Sequence, residues 1–83
     1  MTRQLHLFTS KECCLCDQAL SIIEAWDVNK YFNVQKIDIY RDKVFLVRYK
    51  LSIPVLKDVL SGGELYWPFD TQQLAAWVES LDP

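Results

Sequence analysis

A chain of 83 residues has room for one hydrophobic core, so a single domain over residues 1–83 is expected. With 51% hydrophobic and 13% aromatic residues it is too apolar to stay disordered, and its formal charge of −2 gives no footprint for nucleic acid or an anionic membrane. No apolar run approaches the roughly 20 residues needed to cross a bilayer, and Met1-Thr2-Arg3-Gln4-Leu5-His6 lacks the apolar stretch of a secretion signal. A soluble, cytoplasmic monomer is the expectation.

Residues 4–9 alternate Leu5 and Leu7 against His6 and Phe8, the period-two pattern of a strand. After the polar turn Ser10-Lys11-Glu12, the apolar positions Leu15, Ala19, Ile22, Ile23 and Trp26 recur at helical spacing, predicting a helix over 14–26 with Asp17 favourably placed in its first turn. Val34 to Tyr40 puts Ile37 and Ile39 on one face and reads as a second strand, completing a βαβ unit. Asp42 suits an N-cap for a short helix over 42–50 carrying Val44, Phe45, Val47 and Tyr49, with Leu51 just beyond it; Pro54 forbids helix immediately before itself. Residues 54–60 and 64–67 flank Ser61-Gly62-Gly63, where glycine supplies the positive φ of a hairpin turn. Asp70 then caps a third helix whose stripe is Leu74, Ala75, Trp77, Val78 and Leu81. The order is βαβαββα: an α/β chain with a four-stranded mixed sheet and three helices.

All three cysteines, Cys13, Cys14 and Cys16, fall within four positions, unlike the dispersed cysteines of a secreted disulfide scaffold. They mark a local site. Cys13 sits at or just before the first turn of the first helix, where unpaired backbone N–H groups and the positive end of the helix dipole stabilise a thiolate. That makes Cys13 the expected catalytic nucleophile. Cys16, one helical turn later on the same side, is the expected resolving thiol. Cys14 is a spare thiol, since adjacent cysteines pair poorly. Lys11 and Glu12 read as solvated turn residues, with a role for Lys11 in favouring the Cys13 thiolate as the alternative. His6, in mid-strand, is read as a sheet residue, because thiol exchange at a helix N-terminus needs no histidine. The three cysteines with His6 lack the two-pair spacing of structural zinc sites, so no metal is expected.

A C-x-x-C between a strand and a helix, followed by Ile53-Pro54-Val55 and by Asp70 at the last helix, resembles a small glutaredoxin-like protein of the thioredoxin superfamily over essentially the whole chain. It is most similar to a short glutaredoxin-like group with a C-x-L-C-[DE] motif, here Cys13-Cys14-Leu15-Cys16-Asp17. The resemblance implies the thioredoxin/glutaredoxin-like fold, a cis bond before Pro54 opposite the dithiol, and a substrate edge formed by Ile53 and Pro54; an ordinary trans Pro54 opening the strand is the competing reading. The chain departs from typical glutaredoxins in three places. Cys14-Leu15 replaces the Pro-Tyr of C-P-Y-C, Ser10 stands where a lysine precedes the first cysteine, and Trp67-Pro68-Phe69 replaces a Gly-Gly pair before the last helix. Tyr66, Trp67 and Phe69 are then either an apolar lip for a protein substrate or a cap on the core, and Asp70 is either a helix cap or, with Thr71, a ligand contact.

The resemblance implies a thiol-disulfide oxidoreductase acting on protein or glutathione mixed disulfides in cell redox homeostasis. It would carry no bound cofactor, with glutathione as a co-substrate. The contrasting class is a non-enzymatic thioredoxin-fold binding module that uses the Cys13 edge for a partner or a shared iron–sulfur cluster.

Overall fold

The computed structural model describes residues 3–11, 13–26 and 32–81. Its elements are β1 (Arg3–Thr9), α1 (Cys14–Ala25), β2 (Phe32–Asp38), a 3-10 turn (Ile39–Arg41), α2 (Lys43–Tyr49), β3 (Val55–Asp58), β4 (Glu64–Tyr66) and α3 (Thr71–Ser80). The sheet order is β2-β1-β3-β4, with β1 and β2 parallel and the β1/β3 and β3/β4 pairs antiparallel. This is the βαβαββα order expected from the sequence.

β1 and β3 are the inner strands, and both faces of the core are built on them. Leu5 and Leu7 point to one side, where they pack with Leu56 of β3, Ala19 and Ile23 of α1, and Leu74 of α3. Phe8 points to the other side, where with Val55 it meets Ile39 and Tyr49. The Phe8 and Tyr49 rings stack with centroids 4.3 Å apart, and Phe45 lies 5.0 Å from Phe8. Two faces need two covers: α1 and α3 on one, the shorter α2 on the other.

Several boundaries move for identifiable reasons. β2 ends at Asp38 rather than Tyr40, because the Asp38 carboxylate accepts the Tyr40 N–H at 3.0 Å and turns the chain into a 3-10 turn that still buries Ile39. β3 ends at Asp58 rather than Leu60. Asp58 takes the Ser61 N–H on its side chain at 3.1 Å and the Gly62 N–H on its carbonyl at 2.8 Å, and Gly62 adopts φ +81°. Val59 and Leu60, assigned to the strand by their composition, are exposed in this turn. In α2 only part of the apolar series faces the core: Phe45, Leu46 and Tyr49 pack inward, whereas Val44 and Val47, and Leu51 beyond the helix, are exposed.

Candidate redox site

The site is built at the junction of β1 and α1. Cys13 is the N-cap of α1, with extended backbone (φ −127°, ψ 100°), and its carbonyl accepts the Asp17 N–H to open the helix. Its Sγ accepts the Cys16 N–H at 3.1 Å, the role that a serine or aspartate oxygen plays at other caps. Cys13 and Cys16 form a disulfide, with Cα atoms 5.2 Å apart. Nearly one turn of helix sets both the reach and the asymmetry: Cys13 is half-buried and Cys16 only 4% exposed, while Cys14 points outward and is free. In the reduced protein the Cys16 N–H and the α1 dipole both favour negative charge on the Cys13 sulfur.

The residues expected to form the substrate edge come together in part. The Ile53–Pro54 bond is cis, and Pro54 is buried at the start of β3. The Trp67 N–H donates to the Pro54 carbonyl at 3.3 Å, tying the loop after β4 to this proline. The Trp67–Pro68 bond is also cis, a feature with no counterpart in the sequence reading. Ile53 is half-buried, and its N–H is donated to the Tyr49 carbonyl at 3.1 Å, so an incoming extended chain finds that donor engaged.

The aromatic lip resolves into separate roles. Phe69 is 4% exposed and belongs to the core beneath α3, with Trp67 half-buried against the same cluster and edge-on to Phe69 at 5.1 Å. Tyr66 lies on the α2 side, where its hydroxyl donates to Glu64 at 3.0 Å. Asp70 and Thr71 are exposed at the start of α3. The Asp70 carboxylate accepts the Gln73 N–H at 2.7 Å while the Gln73 side chain accepts the Asp70 N–H at 3.0 Å, a full capping box. His6 is half-buried in the sheet between Gln35 and Lys57, as expected.

Two features escaped the sequence. A cleft of about 620 Å³ opens beside the buried sulfur, lined by Lys11, Cys16, Asp17, Lys36, Arg41 and Phe45 among others. Its walls come from β1, α1, β2 and the start of α2, and no local motif announces such a gathering. The second is a polar cluster on the α2 face: Tyr49 donates to Glu64, which also accepts from Tyr66 and lies 3.6 Å from the Arg48 guanidinium. Burial, then the bond to Glu64 and its charge, push the Tyr49 phenol up to about 12. For Glu64 burial acts upward, but the hydrogen bonds from Tyr49 and Tyr66 and the charges of Arg48 and Lys57 together outweigh it and hold the carboxyl below its ordinary value.

The model of one family, the glutaredoxin-like domain (DUF836), matches residues 4–79. The chain belongs to that family. Among solved structures, the X-ray structure of target protein XcR50 from X. campestris is 33% identical and covers 94% of this chain and 99% of its own, with a TM-score of 0.82. Protein Ne2328 from Nitrosomonas europaea is 22% identical, covering 93% and 92%, with a TM-score of 0.76. Thioredoxin 1 from Thermosipho africanus, at 14% identity, covers 93% and 91% with a TM-score of 0.67, which shows the shared fold. Comparison with curated proteins gives no match. Family, fold and the Cys13–Cys16 pair together support a redox-type function for this glutaredoxin-like chain.

Proposed function

We propose that the protein is a dithiol thiol-disulfide oxidoreductase that reduces protein or glutathione mixed disulfides in the cytoplasm. The reading rests above all on the Cys13 sulfur, which caps α1, accepts the Cys16 N–H and is paired with the buried Cys16. The Cys13 thiolate attacks one sulfur of a substrate R–S–S–R′, forming the mixed disulfide Cys13–S–S–R and releasing R′S⁻. The Cys16 thiolate then attacks the Cys13 sulfur, forming the Cys13–Cys16 disulfide and releasing RS⁻. Two electrons pass from the dithiol to the substrate, and two equivalents of a thiol such as glutathione, or a reductase dithiol, restore the enzyme. No resident cofactor takes part.

Ile53, Pro54 and Trp67 are the proposed substrate edge, linked by the Trp67 N–H to Pro54 carbonyl bond; Asp70 and Thr71 mark its far end at α3. The bulk of Trp67, where other glutaredoxins have glycine, favours protein over glutathione substrates. The test is turnover of a glutathione mixed disulfide and of a disulfide-bearing protein by the wild type, Cys13→Ser and Cys16→Ser. Cys13→Ser should be inert, and Cys16→Ser should accumulate a mixed disulfide visible by mass. Trapping by Cys13→Ser and not by Cys16→Ser would reverse the two roles, and no turnover of either substrate by the wild type would sink the enzymatic reading.

A further inference from the structure

Helix α2 is apolar on two opposite sides. At about 100° per residue, Phe45, Leu46 and Tyr49 centre on the side packed against Phe8 and Val55, while Val44, Val47 and Leu51 cluster on the opposite arc. The outer three are 68%, 85% and 97% exposed, and Tyr40 in the preceding turn is 62% exposed. A solvent-facing helix normally carries polar residues there. Cations border the stripe on both flanks, Lys43 and Lys50 on one and Arg48, which also pairs with Glu64, on the other, with Arg41 just before the helix. Residues 41–51 hold four basic side chains against Asp42, which is occupied in capping α2, whereas the other 72 residues carry five basic and ten acidic ones.

The start of this helix reaches the redox site, and its end leads to Pro54 of the proposed substrate edge. At its start, Arg41, Asp42 and Phe45 line the same cleft as Lys11 and Cys16. At its end, the Tyr49 carbonyl accepts the N–H groups of Ser52 and Ile53, leading directly to Pro54.

We infer that the outer face of α2 docks an acidic, aliphatic-bearing segment of the disulfide substrate protein, holding it beside Cys13. The inference rests on the exchange reading above and names the substrate class for it. Charge selects this occupant over two others. A second copy docked stripe to stripe would bring Lys43, Arg48 and Lys50 against their own counterparts. An anionic membrane would meet a seven-residue helix on a body whose remainder is strongly acidic. Three or four aliphatic side chains also fall short of the roughly 800 Å² per partner of a stable complex, as suits a substrate that must leave.

The probes are two synthetic helical peptides with leucine at i, i+3, i+4 and i+7, one with glutamate and one with lysine elsewhere, each ending in a cysteine held as a mixed disulfide with 2-mercaptoethanol. Bis(2-hydroxyethyl) disulfide serves as the small reference substrate. The acidic peptide should show a kcat/KM about tenfold above the lysine peptide at low salt, with the advantage shrinking as salt rises. Lys43→Glu with Lys50→Glu, and separately Val47→Ser with Leu51→Ser, should erase that advantage and leave the reference turnover unchanged. Equal turnover of the two peptides alongside normal reference turnover would overturn the docking inference alone. Loss of all turnover, the reference included, would instead overturn the exchange reading. Docking has its own readout in either case: a cysteine-free acidic peptide titrated onto the oxidised protein should shift amide resonances of 43–51, and unmoved resonances would refute the surface. Co-sedimentation with phosphatidylserine vesicles, or a dimer abolished by Leu51→Ser, would assign the face to a membrane or to a second copy and overturn the proposal.

Discussion

Replacing Tyr49 with phenylalanine separates ring packing from hydrogen bonding on the α2 face. The ring is 1% exposed and stacks on Phe8, and phenylalanine keeps both features. What is lost is the bond from the phenol to the Glu64 carboxylate. A hydrogen bond to a charged group contributes about 1.5–3 kcal/mol. Glu64 keeps Tyr66 and Arg48, which places the expected loss near the lower end, about 1.5 kcal/mol, or roughly 6–12 °C in Tm for a domain of this size. The pH profile is the sharper readout. The Tyr49 phenol is raised from 10.0 to about 12, so the native state holds that proton more tightly than the unfolded chain does. Its stabilisation is complete below pH 10 and is lost as the pH climbs towards about 12, an amount of roughly 3 kcal/mol. The Glu64 carboxyl is lowered, so its stabilisation is complete above the unfolded glutamate value of about 4.3 and is lost as the pH falls through the lower native one. Tyr49→Phe should reduce the alkaline loss to the part that the raised Tyr66 phenol contributes, and should shrink the acid one, since the Tyr49 bond leads the interactions holding Glu64 ionised. Chemical denaturation of both proteins across the pH range measures this. Parallel stability curves, offset but identical in shape, would refute the assignment.

The capping box makes Asp70→Ala cost about 1 kcal/mol by melting curve; if Asp70 is only a cap, turnover of a glutathione mixed disulfide stays unchanged, and a selective rise in its KM would assign a ligand contact instead. Phe69→Ala should cost about 3–5 kcal/mol because the ring lies in the core, and an urea midpoint close to wild type would place that ring outside it. Trp67→Gly, at a half-buried position, should raise glutathione turnover relative to protein turnover in a sample shown to be folded by its melt; an unchanged ratio would remove Trp67 from the substrate edge. Iodoacetamide labelling of reduced single-cysteine variants should be faster for Cys13 than for Cys16 at neutral pH, and the reverse order would overturn the nucleophile assignment.

What was legible in the sequence is what short-range rules determine. Cys13 and Cys16 are brought together by the pitch of one helix, so their spacing alone announces the pair, and Asp42 and Asp70 announce their helices through side-chain caps on the following N–H groups. The chain ends of β2 and β3 were less legible because Asp38 and Asp58 each divert the backbone by accepting a nearby N–H, while the apolar residues beyond them keep a strand-like composition. The cleft beside Cys16 and the Tyr49–Glu64 bond were not legible. Each depends on strands and helices distant in sequence meeting in one register.

Helix α2 shows why that boundary matters for function. Its seven residues, with Leu51 just beyond them, carry two apolar stripes, and periodicity gives no reason to bury one rather than the other. The choice follows from bulk and shape on the sheet beneath: Phe8 and Val55 offer an aromatic ring and a branched aliphatic surface, and Tyr49 fills it by stacking at 4.3 Å with Phe45 tilted beside it. Val44, Val47 and Leu51 turned inward would leave that space underfilled and would expose two aromatic rings, while stripping Glu64 of its Tyr49 donor. Packing therefore fixes the rotation of α2, and the aliphatic stripe on its outer side is a consequence that the core neither needs nor uses. A surface left apolar under those conditions, with cations on both flanks and the start of its helix lining the cleft beside Cys16, is not required by the fold, and that is the ground on which a substrate segment is proposed to cover it.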